Sequence, residues 1–174
     1  MTENVQRVDV AIVGSGFAGL GAAVAPPLRP VDRPGDLPMS FAQERLWFLD
    51  RLEPGSPLYN IPAAMRLSGH LDVSALTSAL GEVVRRHEAL RTVFAEAAGR
   101  AGQRIAPWEP FELPTVEALP EEVGTLVREE ARTPFDLASG RLVRARLLRL
   151  SEAEHVLAVT FHHIASDGWS IGVF

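Results

Sequence analysis

His155-Val156-Leu157-Ala158-Val159-Thr160-Phe161-His162-His163-Ile164-Ala165-Ser166-Asp167-Gly168-Trp169-Ser170 is the stretch that decides how this chain is read. Residues 156–161 form an uncharged, β-rich run and predict a buried strand. Asp167-Gly168 then turns the chain. Residues 142–150 supply a second strand, and the acidic turn between the two predicts a hairpin. Successive strand residues point to opposite faces, so His162 and His163 cannot both face one site. One ring enters a pocket while the other packs.

Working outward, the pattern is regular from Pro38 onwards. Ser40 with Gln43 is a capping-box signature, and Phe41, Leu46, Trp47 and Leu49 predict an apolar helical face. Pro54-Gly55-Ser56-Pro57 ends that helix, and residues 61–67 follow as a short strand. Asp72 caps a second helix whose Leu76, Leu80, Val83 and Val84 recur at helical spacing up to His87. Residues 90–94 and, more weakly, 103–106 are strands, and residues 121–132 are helical. Arg141, Arg144, Arg146 and Arg149 form a basic series. It reads either as a face for a phosphate or as an ordinary solvated strand face.

The 174 residues, 47% of them apolar, suffice for one domain with a real core. A net charge of -5 gives no basic footprint, which argues against nucleic acid as a partner. The chain has no cysteine, excluding disulfides and thiolate metal sites and suiting a cytoplasmic location. No apolar run approaches the ~20 residues of a membrane span. The acidic Glu3 and Asp9 near the N-terminus do not read as a secretory signal.

Residues 1–24 differ from the rest. A short apolar strand candidate, residues 8–13, leads directly into Gly14-Ser15-Gly16-Phe17-Ala18-Gly19. Gly14, Gly16 and Gly19 have the spacing that lets backbone amides approach a pyrophosphate at a helix N-terminus. The fragment resembles the FAD-binding start of flavin-dependent oxidoreductases. A complete site also needs a crossover helix, a second strand and an acidic residue to hold the ribose. Pro26, Pro27, Pro30 and Pro34 occupy that region, so residues 25–37 read as a linker and the flavin unit as truncated.

His162-His163-Ile164-Ala165-Ser166-Asp167-Gly168 resembles the active-site motif of nonribosomal peptide synthetase condensation domains. Ser40-Phe41-Ala42-Gln43-Glu44-Arg45-Leu46-Trp47-Phe48-Leu49 is similar to that family's first motif, and Arg86-His87-Glu88-Ala89-Leu90-Arg91-Thr92-Val93-Phe94 to its second. The resemblance implies a chloramphenicol acetyltransferase-like fold for residues 38–174. That is an α+β lobe, a mixed sheet with helices packed on one side. It further implies amide formation between carrier-bound acyl or peptidyl and aminoacyl thioesters. The substrates ride on 4'-phosphopantetheine arms of carrier proteins, and the domain itself binds no metal or nucleotide. The continuation through Trp169 and Ser170 is similar to the subtype that joins two L-configured residues. Family members have two lobes, so residues 38–174 read as the first lobe alone, ending just past the active-site loop and inactive as it stands.

By the same resemblance His163 is the catalytic residue, acting on the acceptor amine or the tetrahedral intermediate. His162 is a packed histidine and Gly168 a turn residue. Asp167 is structural, ion-paired with Arg91 to pin the histidine loop. A metal site built from His162, His163 and Asp167 is the rival use, opposed by the divergent directions of the two histidines. Two other functions stay in view: a fragment of an FAD-dependent oxidoreductase, and a non-catalytic module that docks carriers.

Overall fold

The computed structural model describes residues 35–97 and 99–171. The strand candidate at residues 8–13 and the glycines Gly14, Gly16 and Gly19 lie outside them.

The first helix, α1 (Phe41–Leu52), begins where the sequence marks its start. Ser40 Oγ accepts the Gln43 N–H at 3.3 Å, and Gln43 Oε1 accepts the Ser40 N–H at 2.9 Å, so both arms of the capping box close. Two otherwise orphaned donors are thereby satisfied. Ser40→Ala should cost about 1 kcal/mol, read as a lower urea midpoint at unchanged slope. The buried side of α1 departs from expectation at Phe41. Leu46 and Trp47 pack inward against Met39, Phe94, Leu137, Leu142 and Ile164. Phe41, expected on that face, is 92% exposed. It shares its stripe with Phe48 and Leu52, seven and eleven residues on, which are also exposed. That stripe points away from Leu46 and Trp47.

β1 (Asn60–Ser68) leads to α2 (Val73–Arg86), whose N-terminus is capped by Asp72 Oδ1 accepting the Ala75 N–H at 2.9 Å. A 3-10 turn (Glu88–Arg91) then enters β2 (Thr92–Ala97), which pairs with β3 (Arg100–Ile105) as a separate two-stranded sheet. β4 (Thr115–Glu117), α3 (Val123–Arg132), β5 (Val143–Arg149), β6 (Glu154–His162) and the short turn α4 (Gly168–Ile171) complete the described chain. The main sheet has the order β1-β6-β5-β4. β6 is antiparallel to both neighbours, as the hairpin reading requires, while β4 joins β5 in parallel and makes the sheet mixed.

The α+β lobe with a mixed sheet is therefore as expected, but its helices divide between both faces. α2 presents Leu76, Leu80, Val83 and Val84 to Val143, Ala145, Leu147, Leu157, Val159 and Phe161. On the opposite face, α3 presents Val123, Leu126 and Val127 to Leu148 and Val156. The physical reason lies in β6, whose residues His155 to His162 are all buried. A strand apolar on both faces needs a cover on both. Among the described residues no helix is long and apolar enough to cross a membrane.

Candidate active site at the end of strand β6

β6 delivers the two histidines in opposite directions, because side chains alternate along a strand. His162 is 2% exposed, whereas His163 is exposed. The His162 ring lies edge-on to two aromatic rings, Phe135 at 5.7 Å and Tyr59 at 6.4 Å between centroids. Its Nδ1 accepts the Ile164 N–H at 3.1 Å, so the ring hydrogen sits on Nε2. Burial, and then the neighbouring charge of His163, push the His162 pKa from 6.5 down to about 4.

That depression has a pH signature. The unfolded ring takes a proton near pH 6.5, and the folded ring refuses it until about 4. The unfolded state binds more protons between these values, so the contribution is fully present above pH 6.5 and lost as pH falls towards 4. The loss should be about 2 kcal/mol at pH 5, out of about 3 kcal/mol that is complete only below pH 4. Urea midpoints at pH 7 and pH 5 measure it. A His162→Gln variant that loses as much stability on acidification as the parent would refute the assignment.

His163 is held by its backbone and by one ring nitrogen. Its N–H donates to the Tyr59 carbonyl at 2.9 Å, continuing the β1–β6 ladder beyond the last strand pair. Its Nδ1 lies 2.8 Å from the Ser166 carbonyl oxygen. A carbonyl only accepts, so Nδ1 carries the hydrogen and Nε2 keeps its lone pair. The result is an exposed imidazole in the tautomer that presents a base. Ile164, buried among Met39, Phe94, Leu137 and Leu142, pins the loop between the two histidines and the turn that follows.

Asp167 and Arg91 do not form the expected pair. Asp167 Oδ1 accepts the Ser170 N–H at 2.9 Å and the Ser170 hydroxyl at 2.8 Å, fastening the turn that contains Gly168. Arg91 ends the 3-10 turn that leads into the two-stranded sheet. Its guanidinium donates to the Ala106 carbonyl and lies 3.7 Å from Glu88 Oε1. The Ala106 N–H in turn donates to the Arg91 carbonyl at 2.9 Å. This reciprocal closure with residue 106 draws the Arg91 side chain to its own sheet. Tyr59, Ser166 and Ile164 also tie the loop.

The arginine series is not a free basic face. Arg141 meets Glu109 at 3.2 Å, Arg149 meets Glu117 at 3.6 Å, and Arg144 and Arg146 share Glu130 at 2.6 and 3.8 Å. Arg144 does most here. It donates to the carbonyls of Glu130, Thr133 and Pro134, and its guanidinium lies 4.0 Å over the Phe135 ring, which itself packs on His162. Sequence reading missed Tyr59, Phe135 and Asn60. Tyr59 and Ser166 hold the loop through main-chain carbonyls, which leave no mark in side-chain identity. Among the described residues no group of three acidic or histidine side chains is arranged to hold a metal. His162 and His163 already commit a ring nitrogen each to the backbone.

The family model of the condensation domain matches residues 34–174. The chain belongs to the condensation-domain family. A linear gramicidin synthase subunit of Brevibacillus parabrevis is 47% identical over 154 residues, 84% of this chain and 2% of that protein. A probable non-canonical nonribosomal peptide synthetase of Salinispora arenicola is 51% identical over 153 residues, 88% of this chain and 2% of that protein. Among solved structures, the starter condensation domain of rhizomide synthetase superposes with a TM-score of 0.73 at 26% identity, over 80% of this chain and 35% of that one. The X-domain of teicoplanin biosynthesis, solved in complex with OxyB, gives 0.79 at 40% identity, over 85% of this chain and 32% of that one. The condensation lobe thus spans about a third of each solved chain and a small part of each synthetase.

Proposed function

We propose that this condensation lobe takes part in amide formation between two carrier-bound thioesters, with His163 as its catalytic residue. The observation that carries this reading is the Nδ1–H tautomer of an exposed His163, fixed by the Ser166 carbonyl. An α-ammonium group titrates near pH 8, so the acceptor must shed a proton before its nitrogen can attack. That first proton goes to solvent, and the Nε2 lone pair takes the second as the neutral nitrogen bonds to the donor carbonyl carbon. The carbon–sulfur bond then breaks and the proton passes to the departing phosphopantetheine thiol. Acyl or peptidyl and aminoacyl thioesters on 4'-phosphopantetheine carriers are the matching substrates and partners, and the chemistry needs no resident cofactor.

A second reading is a docking module without turnover. It is favoured by the X-domain relative, whose solved form is a complex with OxyB. One experiment separates the two. A polypeptide carrying this lobe with the remainder its relatives possess is mixed with donor- and acceptor-loaded carriers, and the acceptor carrier is weighed by mass spectrometry. A mass gain equal to the donor acyl group supports condensation. Carrier capture with no mass gain overturns it in favour of docking.

A further inference from the structure

We infer that Asn60 and Arg144 are positioning residues, which gather the carbonyl end of α3 behind His162 and thereby set the direction of His163. This rests on the reading of His163 as the catalytic base.

Asn60 opens β1 and sits directly opposite His162 in the ladder. Its Nδ2 donates to the carbonyls of Ala131 at 2.7 Å and Thr133 at 2.8 Å, at the end of α3. Arg144, on the other side of β6, reaches the same helix end. It donates to the Glu130 carbonyl at 3.0 Å and the Pro134 carbonyl at 3.1 Å, and shares the Thr133 carbonyl with Asn60. The last carbonyls of a helix have no partner within it, so the two side chains together close that end. One side chain comes from each strand flanking the histidine strand.

The closure fixes both supports of the histidine pair. The peptide joining Tyr59 to Asn60 carries the carbonyl that receives the His163 N–H. Phe135, one residue past the carbonyl of Pro134, lies between the Arg144 guanidinium and the His162 ring. Moving α3 would therefore move a neighbour of His162 and the acceptor of the His163 amide together. Among the described residues Asn60 Oδ1 is buried without a partner. An acceptor stripped of water is unfavourable, so a strand position serving packing alone is better filled by an apolar side chain. The two bonds made by Nδ2 are what the amide gains in exchange.

The test uses nitrogen NMR on the protein itself, needing neither carriers nor turnover, so it stands or falls separately from the condensation reading. In the parent, His163 should show the Nδ1–H signature and a protected backbone amide. Asn60→Ala should shift the ring towards a tautomer mixture and speed exchange of the His163 amide about tenfold. Val127→Ala, which loosens α3 against the sheet without touching the carbonyl end, should leave the tautomer unchanged. If Asn60→Ala does not fold, Asn60→Asp and Arg144→Lys take its place, since each keeps size or charge while losing bonds to the carbonyls. A folded variant of Asn60 or Arg144 with parental tautomer and exchange overturns the proposal. So does a Val127→Ala variant that shifts the tautomer equally, because the effect would then be general loosening.

Discussion

In a polypeptide carrying this lobe with the remainder its relatives possess, His163→Ala should slow amide formation by about a hundred- to ten-thousand-fold, the usual share of a positioned acid–base group, with little change in stability. The ring is exposed, and the substitution removes only its contact to the Ser166 carbonyl, leaving the main-chain bond to Tyr59 and the Ile164 anchor in place. His162→Ala should do the reverse. Its ring fills space between Tyr59 and Phe135, so its loss opens a cavity and lowers the unfolding midpoint. Rates with carrier-bound substrates, measured beside melting curves for both variants, separate the roles. Equal loss of rate at unchanged stability in the two would show that the assignment is wrong.

Arg144→Ala should cost the fold about 3–5 kcal/mol, the largest stability effect expected of any single change here. Glu130 is 5% exposed, and Arg144 is its close partner at 2.6 Å, with Arg146 more distant at 3.8 Å. Truncating Arg144 leaves a carboxylate buried against a poor partner and strips three main-chain carbonyls of a donor. Replacing both partners with apolar residues, as in Arg144→Met with Glu130→Leu, should recover much of the loss because no charge remains buried. Denaturant melts of the single and double variants decide the point. A double variant no more stable than Arg144→Ala would mean that the carbonyl contacts, not the charge, dominate.

The hairpin, both helix caps and the opposite fates of the two histidines are legible in residues 142–163, Ser40, Gln43 and Asp72. Each rests on local periodicity or on a side chain bonding within four residues. The partners of Arg91 and Arg144 are not. Both are long cations whose choice among several acids depends on which sheet carries them, and the two-stranded sheet is set by pairing that no local pattern announces. The outward stripe of α1 misleads for a related reason. Of the expected face, Leu46 and Trp47 do pack on the core, whereas Phe41 turns outward with Phe48 and Leu52 although it is as apolar as they are. β4 has three residues, too few to show a period.

Two adjacent histidines at the end of one strand also make function a matter of register. β6 is held by nine residue pairs to β1 and seven to β5. A slip of one position would turn every side chain to the other face, burying His163 and exposing His162 with hardly any change in helix or strand content. Such a misfolded lobe would look native by circular dichroism and be catalytically dead. Inserting a single residue within β6, between Val159 and Thr160, should invert the facing of the histidine pair while the preceding part of the strand keeps its register, whereas two inserted residues should restore the original facing.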